Sequence, residues 1–234
     1  MKTLGIVGGV GPEATVEYYK QIIAAYRAKK ADGSYPVILI HSVNLQLMLD
    51  GFNAKRLPDV VDQMVDSLQR LARAGADFGL MASNTPHLMF RDIKARSPIP
   101  LISIIEATRV EAQRRGLRRP ALFGSRYTMQ GRSYADVFEP AGMTIVTPQP
   151  DEIDYIHSKY MSELINGVLL PETRDELLAV VERMRQRDGV DGLILGGTEL
   201  PLILKDGMIA GFPFLDTTEI HVRAAVAEIL GEAA

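Results

Sequence analysis

Short apolar runs alternate with helical patterns along the whole chain of 234 residues. Between most of the apolar runs, hydrophobic positions recur at the spacing of one helix face. Short apolar strands separated by helices are typical of βαβ units with parallel sheets, so the pattern predicts an α/β fold. The predicted strands are 3–7, 37–43, 78–82, 101–104, 121–123, 144–146, 192–195 and 213–215, and the predicted helices include 12–29, 57–74, 173–186 and 217–230.

A weak internal repeat indicates duplication. Gly75-Ala76-Asp77 recurs as Gly189-Val190-Asp191, and each triplet leads into a strand and a polar loop. The repeat predicts two similar α/β halves related by pseudo-twofold duplication, residues 1–98 with 216–234 and residues 99–215. Ligands of open α/β sheets bind beyond the carboxyl ends of the strands, so we expect the active site in the cleft between the halves. The alternative is that the two segments match only because all βα units have similar sequence patterns.

Composition narrows the class of protein. The hydrophobic content is 47%, and the net charge of −3 gives no electrostatic case for nucleic acid as a partner, because such a partner calls for a basic face. The absence of cysteine excludes disulfides, thiolate metal sites and thiol catalysis. No apolar run is long enough to span a membrane, and the cytoplasm is the expected location. No metal site is predicted, because no ligand-spaced pair occurs among His41, His87, His157 and His221.

Glycine-rich and polar loops follow several predicted strands. Gly8-Gly9-Val10-Gly11-Pro12 follows the first strand, and we expect Gly9 and Val10 to contact a ligand; the alternative is a tight structural turn. Ser83-Asn84-Thr85-Pro86-His87 offers two hydroxyls, an amide and an imidazole, although Ser83 or Asn84 can also cap a helix.

Two further loops lie in the second half. In Gly196-Gly197-Thr198-Glu199, Thr198 can donate to a carboxylate, and Glu199 is either an acid–base group or a capping carboxylate. In Ser125-Arg126-Tyr127-Thr128, Arg126 is either an anion clamp or a surface residue. A serine hydrolase is not supported, because the chain has no G-x-S-x-G elbow and no histidine is obviously placed to activate Ser83.

Taken together, these loops closely resemble the aspartate/glutamate racemase family. The resemblance rests on Gly5–Thr15, Ser83–His87 and Leu195–Pro201, in order along the chain. It implies two Rossmann-like halves, a homodimer, and an amino-acid substrate handled without a metal or pyridoxal phosphate cofactor. In the family, one cysteine removes the α-proton and a second cysteine returns one. The resemblance places the first cysteine at Ser83 and the second at Gly197, and it assigns the substrate carboxylate to Asn84, Thr85, Thr128 and Thr198.

The chain departs from that family at both catalytic positions. A serine hydroxyl is far less acidic than a thiol, and glycine has no side chain, so two-base racemisation is expected to be absent or severely impaired. Residues 45–48 and 166–169 also lack the Arg and Lys that some aspartate-specific members carry there, which favours a less charged substrate.

Three functions remain open on the sequence alone. The first is an isomerase or lyase with non-thiol chemistry, in which Ser83, Glu199 or a water molecule serves as proton donor. The second is a pseudoenzyme that binds a small acid without turnover, and the third is an amino-acid racemase that uses other bases.

Overall fold

A computed structural model describes residues 1–232. Within that range the chain forms two parallel sheets surrounded by helices. The strands are β1 (Leu4–Gly8), β2 (Ile38–Ser42), β3 (Phe78–Met81), β4 (Pro120–Gly124), β5 (Gly192–Gly196) and β6 (Phe214–Asp216). The α-helices are α1 (Pro12–Lys29), α2 (Leu45–Asn53), α3 (Leu57–Arg73), α4 (Phe90–Arg96), α5 (Ile104–Arg114), α6 (Arg126–Gln130), α7 (Ser133–Phe138), α8 (Pro150–Ser162), α9 (Pro171–Asp188), α10 (Leu200–Ile203) and α11 (Thr217–Leu230).

The chain divides into two compact units. The first comprises Met1–Ile104 and the C-terminal segment from Thr218, and the second comprises Ile105–Thr217. The predicted boundaries, after residues 98 and 215, lie close to these points in the sequence. In the first unit, α1 and α11 pack on the sheet through a core that includes Tyr18, Ile22 and Val226. In the second, α8 and α9 supply much of the core.

The two sheets share one strand order. In the first unit the order is β2-β1-β3, and a parallel bridge from Gly79 to Leu101 adds a fourth position beyond β3. In the second the order is β4-β5-β6, and a parallel bridge from Ala121 to Val146 adds a position beyond β4. Numbered within each unit, both sheets therefore run second, first, third, fourth. The prediction of an α/β protein with two similar parallel halves is confirmed.

The repeated glycine of the triplet ends a helix in both units. Gly75 follows α3 with φ +98°, and Gly189 follows α9 with φ +63°. Both values lie in the left-handed region, which glycine enters at low cost and which commonly terminates helices.

The repeated aspartate ties its strand to the neighbouring strand. The Asp77 carboxylate accepts a hydrogen bond from the Thr3 N–H at 2.7 Å, just before β1. The Asp191 carboxylate accepts from the Arg119 N–H at 3.0 Å and also from the Arg118 N–H, just before β4. Each aspartate thus satisfies backbone donors where the first strand of its unit begins. The aspartate of the repeated triplet therefore has the same structural role in both units.

Helix bounds from the sequence were accurate, but two predicted strands were wrong. The structure confirms helices at Pro12–Lys29 and Thr217–Leu230. Residues 101–104 and 144–146 each contribute a single bridge rather than a strand, and Ile104 already begins α5. Their apolar side chains reflect burial beside a sheet, which does not by itself require a continuous ladder. Among the described residues no helix is long and apolar enough to cross a membrane.

We predict that Asp191→Ala destabilises the protein by about 1–3 kcal/mol, because backbone donors at the start of β4 lose their acceptor. Urea unfolding measures the effect. Asp175→Ala is the matched control, since that carboxylate lies exposed on α9 and pairs with the neighbouring Arg174. Equal unfolding free energies for the two variants would contradict the role assigned to Asp191.

Candidate functional site

The glycine loop after β1 is a tight turn closed by a threonine. Gly9 has φ +76°, and a Cβ there would lie 2.4 Å from the Val43 carbonyl oxygen. The Gly9 N–H donates to Thr15 Oγ1 at 2.9 Å, and that hydroxyl donates to the Gly11 carbonyl at 3.2 Å. This Gly9 donor is therefore used within the loop, as a structural turn requires. Val10 beside it is buried.

Ser83 and Asn84 follow the end of β3. Both are buried, with 8% and 4% of their surface exposed, and Thr85 is half-buried at the start of the 3-10 helix Thr85–Met89. Asn84 stands at the capping position of this helix, but its side chain makes no capping hydrogen bond. The three residues expected to face a ligand in this unit are thus consecutive at one strand end.

His87 is a buried imidazole, and both of its ring nitrogens bond to backbone groups. A carbonyl oxygen can only accept, so Nδ1–H donates to the Ser83 carbonyl at 3.0 Å. Nε2 accepts from the Ile104 N–H at 3.3 Å. Burial, reinforced by the nearby His221, lowers the pKa of His87 to about 3. Because both ring nitrogens are engaged with backbone, His87 cannot act as a base for the Ser83 hydroxyl.

His221 is a second buried imidazole in the same unit. Its Nε2–H donates to the Ile102 carbonyl at 3.1 Å, and its Nδ1 accepts from the Tyr18 hydroxyl at 2.8 Å. Burial lowers the pKa of His221 to about 4. Its ring centroid lies 6.5 Å from that of His87. Both histidines join elements of the first unit.

In the second unit, β4 and β5 end in facing glycines. Gly124 pairs with Gly196, and a Cβ on Gly124 would lie 2.7 Å from the Gly196 carbonyl oxygen. Thr128 packs over both, with Cγ2 3.1 Å and 3.3 Å from the two Cβ positions. The Thr128 N–H donates to Ser125 Oγ at 3.3 Å, and the two hydroxyls lie 3.1 Å apart. Thr128 is thereby fixed at the ends of β4 and β5.

A tyrosine ring occupies the space beside Gly197. A Cβ on Gly197 would lie 2.6 Å from Cε2 of Tyr160 and 3.1 Å from its hydroxyl oxygen. A separation of 2.6 Å is far inside van der Waals contact, so any side chain at position 197 must displace the ring. The position that the resemblance assigns to the second cysteine is physically closed in this chain.

The tyrosine belongs to a buried polar cluster. Its hydroxyl donates to Oε2 of Glu199, and the Thr198 hydroxyl donates to the same oxygen at 2.9 Å. All three side chains are at least nine-tenths buried. Burial, followed by the negative charge of Glu199 and its hydrogen bond, raises the pKa of Tyr160 well above its ordinary value. The cluster therefore combines a neutral phenol with a carboxyl group that accepts two hydrogen bonds.

Sequence reasoning missed Tyr160 because it did not predict α8. A signal was present: Gln149 and Glu152 form a capping box, Pro150 occupies the first turn, and Ile153, Ile156 and Tyr160 recur at helical spacing. A tyrosine at helical spacing with two isoleucines is expected to lie in the hydrophobic core. Only the tertiary structure shows that its hydroxyl lies beside Glu199.

Residues of α8 also determine the surroundings of Arg126. The Arg126 N–H donates to Nδ1 of His157 at 3.2 Å, which links the start of α6 to α8. The Arg126 guanidinium pairs with Asp154 at 3.0 Å and is 43% exposed. Of the two interpretations given above, the geometry favours the surface residue. Within residues 1–232, no group of three or more His, Cys, Asp or Glu side chains could hold a metal ion.

Two parallel α/β units, with buried polar residues just beyond β3, β4 and β5, define a Rossmann-like protein of the two-domain kind. Residues 7–225 match the Asp/Glu/Hydantoin racemase family, and the chain belongs to that family.

Individual relatives agree with this assignment. The chain is 34% identical to an aspartate racemase homologue from Pyrococcus horikoshii OT3, covering 99% of this chain and 100% of that one, with a TM-score of 0.85. It is 29% identical to a candidate Asp/Glu racemase from Yersinia pestis, covering 98% and 100%, with a TM-score of 0.90. It is also 22% identical to the broad specificity amino-acid racemase RacX of Bacillus subtilis, over 97% of this chain and 98% of that protein.

We predict that Gly197→Ala destabilises the protein by about 1–3 kcal/mol, since the new Cβ collides with the Tyr160 ring. In a Tyr160→Ala background the same substitution costs little, because the ring is gone. Unfolding free energies of the four proteins of this double-mutant cycle measure the coupling. An equal cost of Gly197→Ala with and without Tyr160 would show that the ring does not close the position.

We predict that the protein loses stability as the pH falls below about 6.5, the ordinary histidine pKa. His87 and His221 have native pKa values of about 3 and 4, so the unfolded chain binds more protons than the native protein over this window. Each imidazole contributes a loss of about 1.4 kcal/mol per pH unit once its unfolded form is protonated, until the pH reaches its native pKa.

Urea unfolding between about pH 8 and pH 5 measures how the unfolding free energy changes with pH. His87→Gln is expected to reduce this slope by the contribution of one imidazole, about 1.4 kcal/mol per pH unit. Comparing the variant at low pH with the same variant at pH 8 removes any pH-independent loss of stability. An unchanged slope would mean that His87 is not buried in its neutral form.

Proposed function

We propose that the protein binds a small carboxylic or amino acid and acts on it as an isomerase or lyase without thiol chemistry. Membership of the Asp/Glu/Hydantoin racemase family supports an isomerase-type function. The chain has no cysteine, so the proton transfers must use other groups. The named relatives are racemases or a racemase homologue, and the nature of their reactions supports an acid whose α-carbon is the reacting centre.

The observation that carries this proposal is the polar cluster beside Gly197. Burying a carboxyl group costs free energy unless its hydrogen bonds compensate, and apolar filling of the same space is generally cheaper. Here the buried carboxyl group is satisfied by a titratable phenol, Tyr160, and by the Thr198 hydroxyl. The presence of Tyr160 and Glu199 there supports retained acid–base chemistry and weighs against a protein that only binds.

Binding of the acid is assigned to hydroxyl and amide groups at the strand ends. We propose that Asn84 and Thr85 supply carboxylate-binding groups in the first unit and that Thr128 supplies one in the second. The Thr198 hydroxyl, which donates to Oε2 of Glu199, positions that carboxylate instead. Val10 contributes contact surface, and Gly9 shapes its loop. Ser83 supplies a hydroxyl as a hydrogen-bond donor. Such donors stabilise an enolate-like intermediate, which both isomerases and lyases of carboxylic acids require.

The substrate is proposed to carry one carboxylate rather than two. Residues 45–48 at the start of α2 and residues 166–169 supply no arginine or lysine. A second carboxylate would lack the cations that usually fix it. The homodimer and the cytoplasmic location expected from the sequence stay predictions.

We predict that the protein in D2O exchanges the α-hydrogen of at least one monocarboxylic amino or hydroxy acid, or cleaves a bond at that carbon. Proton NMR of a panel containing both enantiomers of each compound detects exchange, cleavage and inversion together. A thermal-shift assay on the same panel detects binding separately.

Thr128→Val is expected to weaken binding about tenfold, because it removes a buried donor without changing side-chain shape. Thr173→Val is the matched control, since Thr173 is equally buried but pairs with Glu163 on the α9 side of the unit.

In the substrate panel, binding without exchange or cleavage would favour the non-catalytic small-acid protein. Inversion of both enantiomers would favour a racemase with other bases. Neither binding nor turnover would overturn the proposed function.

A further inference from the structure

We propose that Tyr160 and Glu199 form the acid–base pair of this protein, with the proton passing between the substrate carbon and the Glu199 carboxylate through the Tyr160 hydroxyl. The inference rests on the proposed function and names the groups that replace one of the missing thiols. It is built entirely from residues of the second unit.

The Tyr160 phenol fills the space beside Gly197, and its position supports the proposal that it also takes over the role of the missing thiol. The Tyr160 oxygen lies 3.1 Å from the point where a side chain on Gly197 would begin. The hydroxyl therefore lies beside the Cα atom whose side chain would carry the family's second thiol. Glycine at 197 is what allows it to stand there. A titratable O–H group occupies the neighbourhood that a titratable S–H group would otherwise occupy.

The hydrogen bonds supply the rest of a proton relay. The Tyr160 O–H already points to Oε2 of Glu199, which is the direction in which its proton would move. The Thr198 hydroxyl donates to the same oxygen and holds the carboxylate in place. Thr198 is in this respect a positioning residue. The Tyr160 and Thr198 hydroxyls both donate to Oε2, and together they restrain the carboxyl group.

The step balances without any further reactant. The substrate C–H bond breaks and its electron pair stays on the substrate as an enolate. The proton bonds to the Tyr160 oxygen while the phenolic proton moves to Oε2 of Glu199. The negative charge thus passes from Glu199 to the substrate, and the phenol is neutral before and after. The reverse step protonates the enolate and restores the carboxylate.

A relay agrees with the electrostatics better than a free tyrosinate does. Burial and the adjacent Glu199 both raise the pKa of Tyr160, so a lasting phenolate beside a carboxylate is disfavoured. In the relay the phenol never carries a full charge. The effective base is the Glu199 carboxylate, and the phenol extends its reach to the substrate.

The first unit offers no equivalent pair at Ser83. Both nitrogens of His87 are engaged with backbone groups, so the Ser83 hydroxyl has no base in that imidazole. A protein with a single acid–base pair exchanges the α-hydrogen of one enantiomer with retention of configuration. It does not interconvert the two enantiomers, because inversion needs a second proton donor.

We predict that Tyr160→Phe lowers the rate of α-hydrogen exchange, or of cleavage, by about 100-fold or more on the substrate found in the panel. Phenylalanine keeps the ring against Gly197, so the fold and the ligand-induced thermal shift are expected to stay. Glu199→Gln is expected to lower kcat similarly with little change in KM, and Glu199→Asp is expected to recover part of the rate. A purely structural role would not produce that recovery.

Tyr155→Phe and Glu163→Gln, on α8 and just after it, are the matched controls and should keep the wild-type rate. Retention of the rate within about threefold by Tyr160→Phe would overturn this inference while leaving the proposed function intact. Exchange of both enantiomers at similar rates would also overturn it, since a second acid–base group would then be required. Absence of exchange and cleavage in the wild-type protein would overturn the inference and the proposed enzymatic function together.

Discussion

The Tyr160 ring packs so closely on Gly197 that each residue restricts the other. A Cβ at 197 would lie 2.6 Å from Cε2 of the ring and 3.1 Å from the hydroxyl oxygen that bonds Glu199. The hydrogen bond from that phenol, together with the one from Thr198, satisfies a carboxyl group that is buried after β5. Glycine at 197 and the contact between the Tyr160 phenol and the Glu199 carboxyl group therefore depend on the same packing.

The first unit departs from the family in a different way. Ser83 keeps a small polar side chain at the end of β3, but the neighbouring imidazole is committed to the backbone of Ser83 and Ile104. His87 thus maintains the loop that carries Asn84 and Thr85, and it stays neutral because it is buried. The two positions to which the resemblance assigns cysteines are therefore unequal. Ser83 lies in a hydrogen-bonded loop, and Gly197 lies beside the Tyr160–Glu199 cluster.

Most of the fold could be predicted from the sequence because it depends on local patterns. The bounds of α1 and α11 follow from helical spacing, and the repeated Gly–x–Asp triplet reflects the same helix end and strand tie in both units. The site could be predicted only in part. Glu199 and Thr198 lie next to Gly197 in the chain, whereas Tyr160 reaches it from α8 through tertiary packing. The role of His87 likewise depends on the Ile104 N–H, a contact that no local pattern encodes.

If Tyr160 and Glu199 form the acid–base pair, the Tyr160 hydroxyl faces the reacting carbon of a bound small acid. A crystal structure of the protein with its substrate, or with an unreactive analogue, tests this directly. We predict that the Tyr160 oxygen lies about 3–3.5 Å from the α-carbon, the range of a reactive geometry, while it keeps its hydrogen bond to Glu199. An α-carbon facing another titratable group, with Tyr160 serving only as a wall, would contradict the account.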